Sequence, residues 1–303
     1  MKNAPPSPRR IPATLAAGLT GLLAVGCATY SQSRSADQAL GRALTFHASF
    51  DHGTTADFAQ GDPQLQVAPK WGQPRNVQPG LPPGNTVHLA PGAGRYGGAL
   101  RFEKKIDELV AYRAAGNLRT SPGAWAGSVS FWLRVSPDAD LEPGYCDTIQ
   151  ITSKDWNDAA FFTEFTKDEK PREFRLGAYA DLKVWNPDNR DWNLIPLPEK
   201  PLVRVVQPPF TRDHWTQVVF TWENYNTGQP NGVTRLYLDG QPQGELSPRV
   251  QTFTWDLDKS LIMLGFAYTG WIDDLAIFDR ALTAPEIARL HQLPNGVSSL
   301  PKR

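Results

Sequence analysis

GWIDDLAIFDRALTAPEIARLH, residues 270–291, is the stretch that decides how this chain is read. Its first half is strand-like, with Trp271, Ile272, Leu275, Ile277 and Phe278 crowded around two adjacent acids, Asp273 and Asp274. Its second half is a helix whose start is written into the sequence. Thr283 is the N-cap, Pro285 lies in the first turn, and Glu286, three residues after Thr283, completes a capping box. Successive strand side chains point to opposite faces. Strict alternation puts Ile272, Asp274 and Ala276 on one face and Trp271, Asp273, Leu275 and Ile277 on the other. One acid therefore meets core-like surroundings, where a carboxylate is costly unless it is paired, hydrogen-bonded or bound to a cation. Asp279 and Arg280, beside the helix start, read as an exposed local pair.

The same alternation runs through much of the chain. LTFHASFD (44–51) places Leu44, Phe46, Ala48 and Phe50 on one side, a first strand with one buried face. SVSFWLRV (128–135) alternates Val129, Phe131, Leu133 and Val135, and CDTIQITS, DAAFFTEFT, EFRLGAYA, TQVVFTWEN and SLIMLGF also read as strands. VTRLYLDGQPQGELS is a hairpin signal, with Asp239-Gly240 at its turn. Residues 181–210, rich in Pro, Asn and Trp, read as a long loop or insertion. Hydrophobic residues make up 40% of the chain, enough for a substantial core, and the 27 Pro and 25 Gly supply the turns that many short strands need. Many strands and one short helix predict an all-β sandwich.

The N-terminus has another purpose. Lys2, Arg9 and Arg10 precede an apolar run, residues 11–26, that ends in small residues, the layout of an export signal. LAVGC (23–27) resembles a bacterial lipobox, which implies cleavage before Cys27 and lipid on that cysteine; a plain secretory signal with a chance cysteine is the alternative. Residues 1–26 are thus expected as a lipoprotein signal peptide and 27–43, polar and small, as a flexible tether. With Cys27 acylated, Cys146 is left without a disulfide partner. Lys plus Arg equal Asp plus Glu at 31 each, and cleavage removes Lys2, Arg9 and Arg10, so the mature chain is mildly acidic and nucleic acid is not an expected partner.

Four landmarks together resemble the laminin-G-like family of the concanavalin A-like lectin/glucanase superfamily. They are the opening strand with FDHGT, GRYGGALRF (94–102), SVSFWLRV, and the series HWTQVVFTW, TRLYLDGQ, GWIDDLAIFDRALTAPEI. The resemblance covers roughly 44–292, is most specific in the last motif and least clear over 138–210. It implies a jelly-roll β-sandwich with one concave sheet and one short C-terminal helix, followed by a tail at 293–303. It also implies that the first strand lies near the last, so that Asp51, the carbonyl of Gly53 and Asp274, with Asp57 or Asp62 in addition, would share a structural calcium ion. The alternative is that these acids bond to backbone N–H groups or to an Arg.

For function, three readings compete. A glycoside hydrolase needs an acid and a nucleophile or base facing one sugar. Glu164 with Asp168, and Asp107 with Glu108, lack the alternate-residue spacing seen in the related glucanases, so no catalytic residue is assigned. Carbohydrate binding needs rings for stacking. Trp132, Trp215, Trp222 and Phe220 sit in regular strands, but Trp156, Trp185 and Trp192 lie in polar, Asn/Asp-rich loops. They are the candidate binding residues, with Asp155, Asn157, Asn186 and Asn189 as polar partners; the alternative is that the rings pack the long loop onto the sandwich. The reading that results is a non-enzymatic, lipid-anchored protein of the bacterial cell envelope, with the outer membrane favoured, that binds a glycan or glycoprotein. A structural or adhesive protein with a protein partner is the alternative, and a hydrolase the third.

Overall fold

The computed structural model describes residue 1, residues 34–72 and residues 75–302. Its strands, in chain order, are β1 (Leu44–Ala48), β2 (Phe58–Ala59), β3 (Gln66–Ala68), β4 (Gln78–Pro79), β5 (Val87–Ala90), β6 (Ala99–Phe102), β7 (Leu109–Arg113), β8 (Trp125–Arg134), β9 (Cys146–Thr152), β10 (Ala160–Phe165), β11 (Phe174–Tyr179), β12 (Leu202–Val205), β13 (Thr216–Tyr225), β14 (Gly232–Leu238), β15 (Gln241–Arg249), β16 (Leu261–Phe266) and β17 (Gly270–Phe278). They form two antiparallel sheets. One runs β15-β14-β13-β8-β17-β1-β2, with β6 on β17 and β5 on β6; the other runs β12-β11-β10-β9-β16-β7-β3-β4. The fold is the expected concanavalin A-like jelly-roll sandwich, and the first strand lies directly beside the last. Between the sheets, Phe46, Val129, Phe131 and Phe220 meet Ile149, Phe161, Leu176 and Ile262 in one continuous core.

The local signals in the sequence became the expected elements. Asp239 and Gly240 both take positive φ, 48° and 75°, which suits the two-residue turn between β14 and β15. The helix Ala284–His291 carries the capping box, with Glu286 accepting from the Thr283 N–H at 2.9 Å. Cys146 is free and buried.

Four expectations are corrected. Residues 34–43 are a helix and not part of a flexible tether. Leu40 and Ala43 are buried, and Asp37 makes a two-pronged pair with Arg289, 2.7 Å on each oxygen. The tail after residue 292 is also packed, since Leu293, Val297 and Leu300 join Leu40, Ala43, Ile287 and Leu290 in a second apolar cluster. That cluster covers the outer face of the nine-stranded sheet, so all of β1 is buried and the expected single buried face becomes two. The third correction concerns β17, where the register shifts between Asp273 and Ala276 and Asp274 sits at φ 49°. The bulge resets the alternation: Ile272, Leu275 and Ile277 face the main core, while Ala276 and Phe278 face the second cluster. Finally, Asp279 and Arg280 choose separate partners. Asp279 takes Arg119 at 3.1 Å, and Arg280 holds Glu286 with two bonds of 2.8 and 2.6 Å. The expected lipid site, Cys27, and the signal segment lie outside the described residues, apart from Met1. Among the described residues no helix is long and apolar enough to cross a membrane.

Candidate ligand-binding site

The acids of the opening stretch act as clamps on the backbone. Asp273 accepts from the N–H groups of Arg95 (2.6 Å), Tyr96 (3.2 Å) and Asp274 (2.7 Å). Burial and the neighbouring Asp274 push its carboxyl upward, against the pull of those three donors. Asp274 receives His47 Nε2 at 2.7 Å and the N–H of Val297 at 3.1 Å. Asp51 accepts from Gly98 N–H at 2.7 Å, and Asp57 from Ser49 N–H at 2.7 Å. Asp62 bonds to Gln64 N–H and to the side chain of Gln66. The glycine-rich loop 94–98 is thus held by Asp273 on one side and Asp51 on the other. Calcium requires several carboxylate or carbonyl oxygens turned towards one point. Here the oxygens face N–H donors, and no group of three or more His, Cys, Asp or Glu among the described residues fits a metal ion. Asp51 and Asp274 thus bond as the alternative expected, to backbone N–H groups, with His47 as a further partner of Asp274.

The loop tryptophans divide. Trp185 turns inward: its Nε1 donates to the Asn157 carbonyl at 2.8 Å and its ring meets Tyr179 edge-on at 4.9 Å. Asn186 is buried and bonds in both directions to the backbone of Arg190, closing the loop. Asn189 is an exposed turn residue at φ 50°, and Asn157 offers its carbonyl to Trp185. These four shape the long loop. Trp156 and Trp192 behave differently. They meet at 5.2 Å with their planes at 90°, Trp156 remains 41% exposed, and both line a cavity together with Asp155.

That cavity, of about 390 Å³, lies on the eight-stranded sheet. Its floor is built from cross-strand rows. Arg175 on β11, Glu164 on β10 and Asp147 on β9 stand directly opposite one another. The next row is Gly177, Phe162 and Gln150. A side chain at Gly177 would run into the Phe162 ring, so glycine lets that ring lie along the sheet. Asp147 reaches the floor only because β9 carries a bulge at the step between Thr163 and Glu164 of its partner; regular alternation from Gln150 would turn Asp147 towards the core. One wall is Trp71, packed on Phe266 at 4.6 Å, and the other is Trp156 with Trp192. Tyr145 closes an end, with the Arg175 guanidinium over its ring at 5.0 Å.

Electrostatics separate the two floor acids. Glu164 is bound to Arg175 at 2.5 Å; burial raises its carboxyl and the guanidinium opposes that rise. Asp147 is held well above the usual carboxylate range, first by burial and then by Glu164, with Arg175 opposing. Asp147 and Gln150 open onto the cavity without a side-chain hydrogen bond to another described residue, and the Nε atoms of Arg75 and Arg175 are buried without a partner. Polar groups that are buried and unmet are unusual in a finished fold. Beside aromatic walls they describe a surface waiting for hydroxyl or amine partners.

Sequence reasoning found Asp155, Trp156 and Trp192 and missed Trp71, Tyr145, Asp147, Gln150, Phe162, Arg175 and Phe266. Glu164 had been weighed only with Asp168, four residues on and outside the strand. The available signal was polarity at strand positions, as in the Glu of AFFTEF and the Arg of EFRLGAY.

The family model described as the concanavalin A-like lectin/glucanases superfamily, of laminin G type, matches residues 115–288. No curated protein matches. Among solved structures, the chain is similar to domain 4 of AbnA, a GH43 extracellular arabinanase from Geobacillus stearothermophilus, in complex with arabinotriose. The identity is 18%, covering 82% of this chain and 98% of that one, with a TM-score of 0.50. It is also similar to the botulinum neurotoxin serotype D binding domain, at 14% identity over 84% of this chain and 52% of that one, TM-score 0.52. The serotype D ligand binding domain in complex with N-acetylneuraminic acid matches at 14% identity over 85% and 52%, TM-score 0.50. The chain therefore spans about half the length of the toxin domains, and at these identities the likeness is one of fold.

Proposed function

Because this chain belongs to the laminin G-type family of the concanavalin A-like lectin/glucanases superfamily, we propose that it is a non-enzymatic binding protein whose ligand is a glycan or the glycan of a glycoprotein. The observation that carries this reading is the cavity on the eight-stranded sheet, where Trp71, Trp156 and Trp192 wall a polar floor that includes Asp147 and Gln150. Apolar faces of sugar rings stack on aromatic rings while their hydroxyls bond to side chains between them. Carbohydrate ligands named for fold neighbours, arabinotriose and N-acetylneuraminic acid, support the same class of partner. The lipobox-like LAVGC and the export signal add a lipid anchor at Cys27 and a place in the bacterial cell envelope. The direct test is a glycan-array screen of the full-length chain in detergent, repeated with Trp156→Ala. Binding to a defined glycan class, lost in the variant, supports the reading; no glycan bound redirects it to a protein partner.

A second reading, glycoside hydrolysis, is favoured by one observation. Asp147 and Glu164 are opposed across adjacent strands in the same cavity. Directly opposed Cβ atoms lie about 4.5–5.5 Å apart, so both carboxyls can reach one sugar, as the paired acids of a glycosidase must. Against it, Arg175 binds the Glu164 carboxylate at 2.5 Å and competes for the oxygen a nucleophile would use. Release of reducing sugar from an array-positive oligosaccharide, abolished by Glu164→Gln, would establish it.

A further inference from the structure

The glycan reading leaves open what the floor of the cavity distinguishes, and its charge answers that. The charged residues lining it are Arg75 and Arg175 against Asp147, Asp155 and Glu164, and Lys200 and Lys167 lie over two of its rings, Trp192 and Tyr145. Arg175 pairs with Glu164 through one terminal nitrogen, and the Nε atoms of Arg175 and Arg75 have no partner among the described residues. Arg75 sends its two terminal nitrogens to the carbonyls of Thr152 (3.4 Å) and Lys154 (2.7 Å), with Asp155 as its neighbouring charge. The carboxyl left over is Asp147. It is only 7% exposed, opens into the cavity, and has no hydrogen bond among the described residues. The rings around it are those that attract cations through their negative faces. Trp192 already does so with the chain's own Lys200, whose Nζ lies 4.0 Å from the ring centroid.

We propose that this pocket selects an amino sugar with a free primary amine, the ammonium pairing with the Asp147 carboxylate while the sugar ring packs against the tryptophan walls. The inference rests on the glycan reading above. An ammonium gives the Asp147 carboxyl a counter-charge, whereas a neutral sugar gives it none and an acidic sugar would face it with a like charge. Burial and the neighbouring Glu164 carboxylate both work against a negative charge at Asp147 that has no counter-charge of its own. The groups that face this carboxyl are Glu164 from β10 and Arg175 from β11; Cys146 is next to it on β9, and Phe266 from β16 brings no charge. Burial and Glu164 outweigh Arg175, so the carboxyl holds its proton unusually strongly. An ammonium that pairs with the carboxylate displaces to solvent any proton held there, Asp147 going from acid to carboxylate and the ligand amine staying protonated.

Isothermal titration of the full-length protein tests this with three oligosaccharides of equal length: glucosamine units with free amines, the same units N-acetylated, and glucose units. The free-amine oligomer is expected to bind about tenfold more tightly, or better, than the other two. Its heat in mildly acid buffer, where the ligand amine is an ammonium, should change with the ionisation enthalpy of the buffer in the sense of proton release. Asp147→Asn, nearly identical in shape, should melt no lower than the parent and lose both the preference and the proton release. Equal affinity for the amine and N-acetylated forms overturns the inference and leaves the glycan reading standing, as does a preference that survives in Asp147→Asn. Failure of all three together with a blank glycan array overturns both.

Discussion

His47 Nε2 lies 2.7 Å from Asp274 Oδ1, between the adjacent strands β1 and β17, and the His47 side chain has no solvent exposure. The pair ties the first strand to the last across 227 residues of sequence, and the second oxygen of Asp274 holds the Val297 N–H of the C-terminal segment. Asp274→Ala would leave both donors buried and unmet, at about 1–3 kcal/mol each. It would also place a Cβ-bearing residue without a local hydrogen bond at φ 49°. We expect a loss of about 3 kcal/mol in urea unfolding, with Asp274→Asn costing clearly less. Because these oxygens face donors and not a metal, addition of a chelator should leave the parent melting temperature unchanged. A chelator-dependent drop would mean that the acids turn towards calcium after all.

Acid should reveal the second fastening of the same region. Glu286 is held down to about 2, first by its side-chain bonds to Arg280, and its capping bond to Thr283 adds to the effect. A carboxylate with a depressed value stabilises the fold fully above its unfolded value, about 4.5, and that contribution disappears as pH falls through about 2. The side chain is half-buried, so solvent screens part of the interaction. Glu286→Gln is expected to cost about 1 kcal/mol at neutral pH. The stability curves of parent and variant should converge towards pH 2. A difference that stays constant across the acid range would show that the charge on Glu286 contributes nothing.

What the sequence disclosed follows from the range of each signal. The alternation of SVSFWLRV, the Asp239-Gly240 turn and the Thr283–Glu286 capping box are decided by neighbours a few residues apart, and each became the expected element. The bulges at Thr148–Asp147 and at Asp274 were not legible, because a period of two does not announce where an extra residue enters. Each bulge moved an acid: one aims Asp147 into the cavity, and the other sets Asp274 beside His47. Residues 34–43 looked like a tether because their helix is stabilised by distant partners, Arg289 and the 293–300 segment. The cavity gathers residues from Trp71 to Phe266, and only loop polarity marked three of them in advance.

Anchoring is tested apart from the folded domain. If LAVGC acts as the lipobox it resembles, Cys27→Ser should yield a protein without lipid label that leaves the membrane fraction on simple washing. The variant should melt like the parent, since the described fold starts packing with the helix at 34–43. A Cys27→Ser product that remains lipid-labelled and membrane-bound would refute the lipobox reading.

The loop tryptophans should separate into two classes by experiment as they do by geometry. Trp185 donates to the Asn157 carbonyl and packs on Tyr179, so Trp185→Ala removes both a part-buried hydrogen bond and ring contacts. We expect it to cost about 2 kcal/mol or more of stability. Trp156 touches Trp192, Tyr179 and Phe162 only at ring edges and keeps 41% of its surface open to solvent and the cavity. Trp156→Ala should cost less than about 1 kcal/mol in unfolding while weakening glycan binding about tenfold or more. Urea unfolding and titration on the same two variants decide the matter. If Trp156→Ala unfolds as readily as Trp185→Ala and binding of the folded fraction is unchanged, Trp156 is a packing residue and the cavity loses its principal stacking surface.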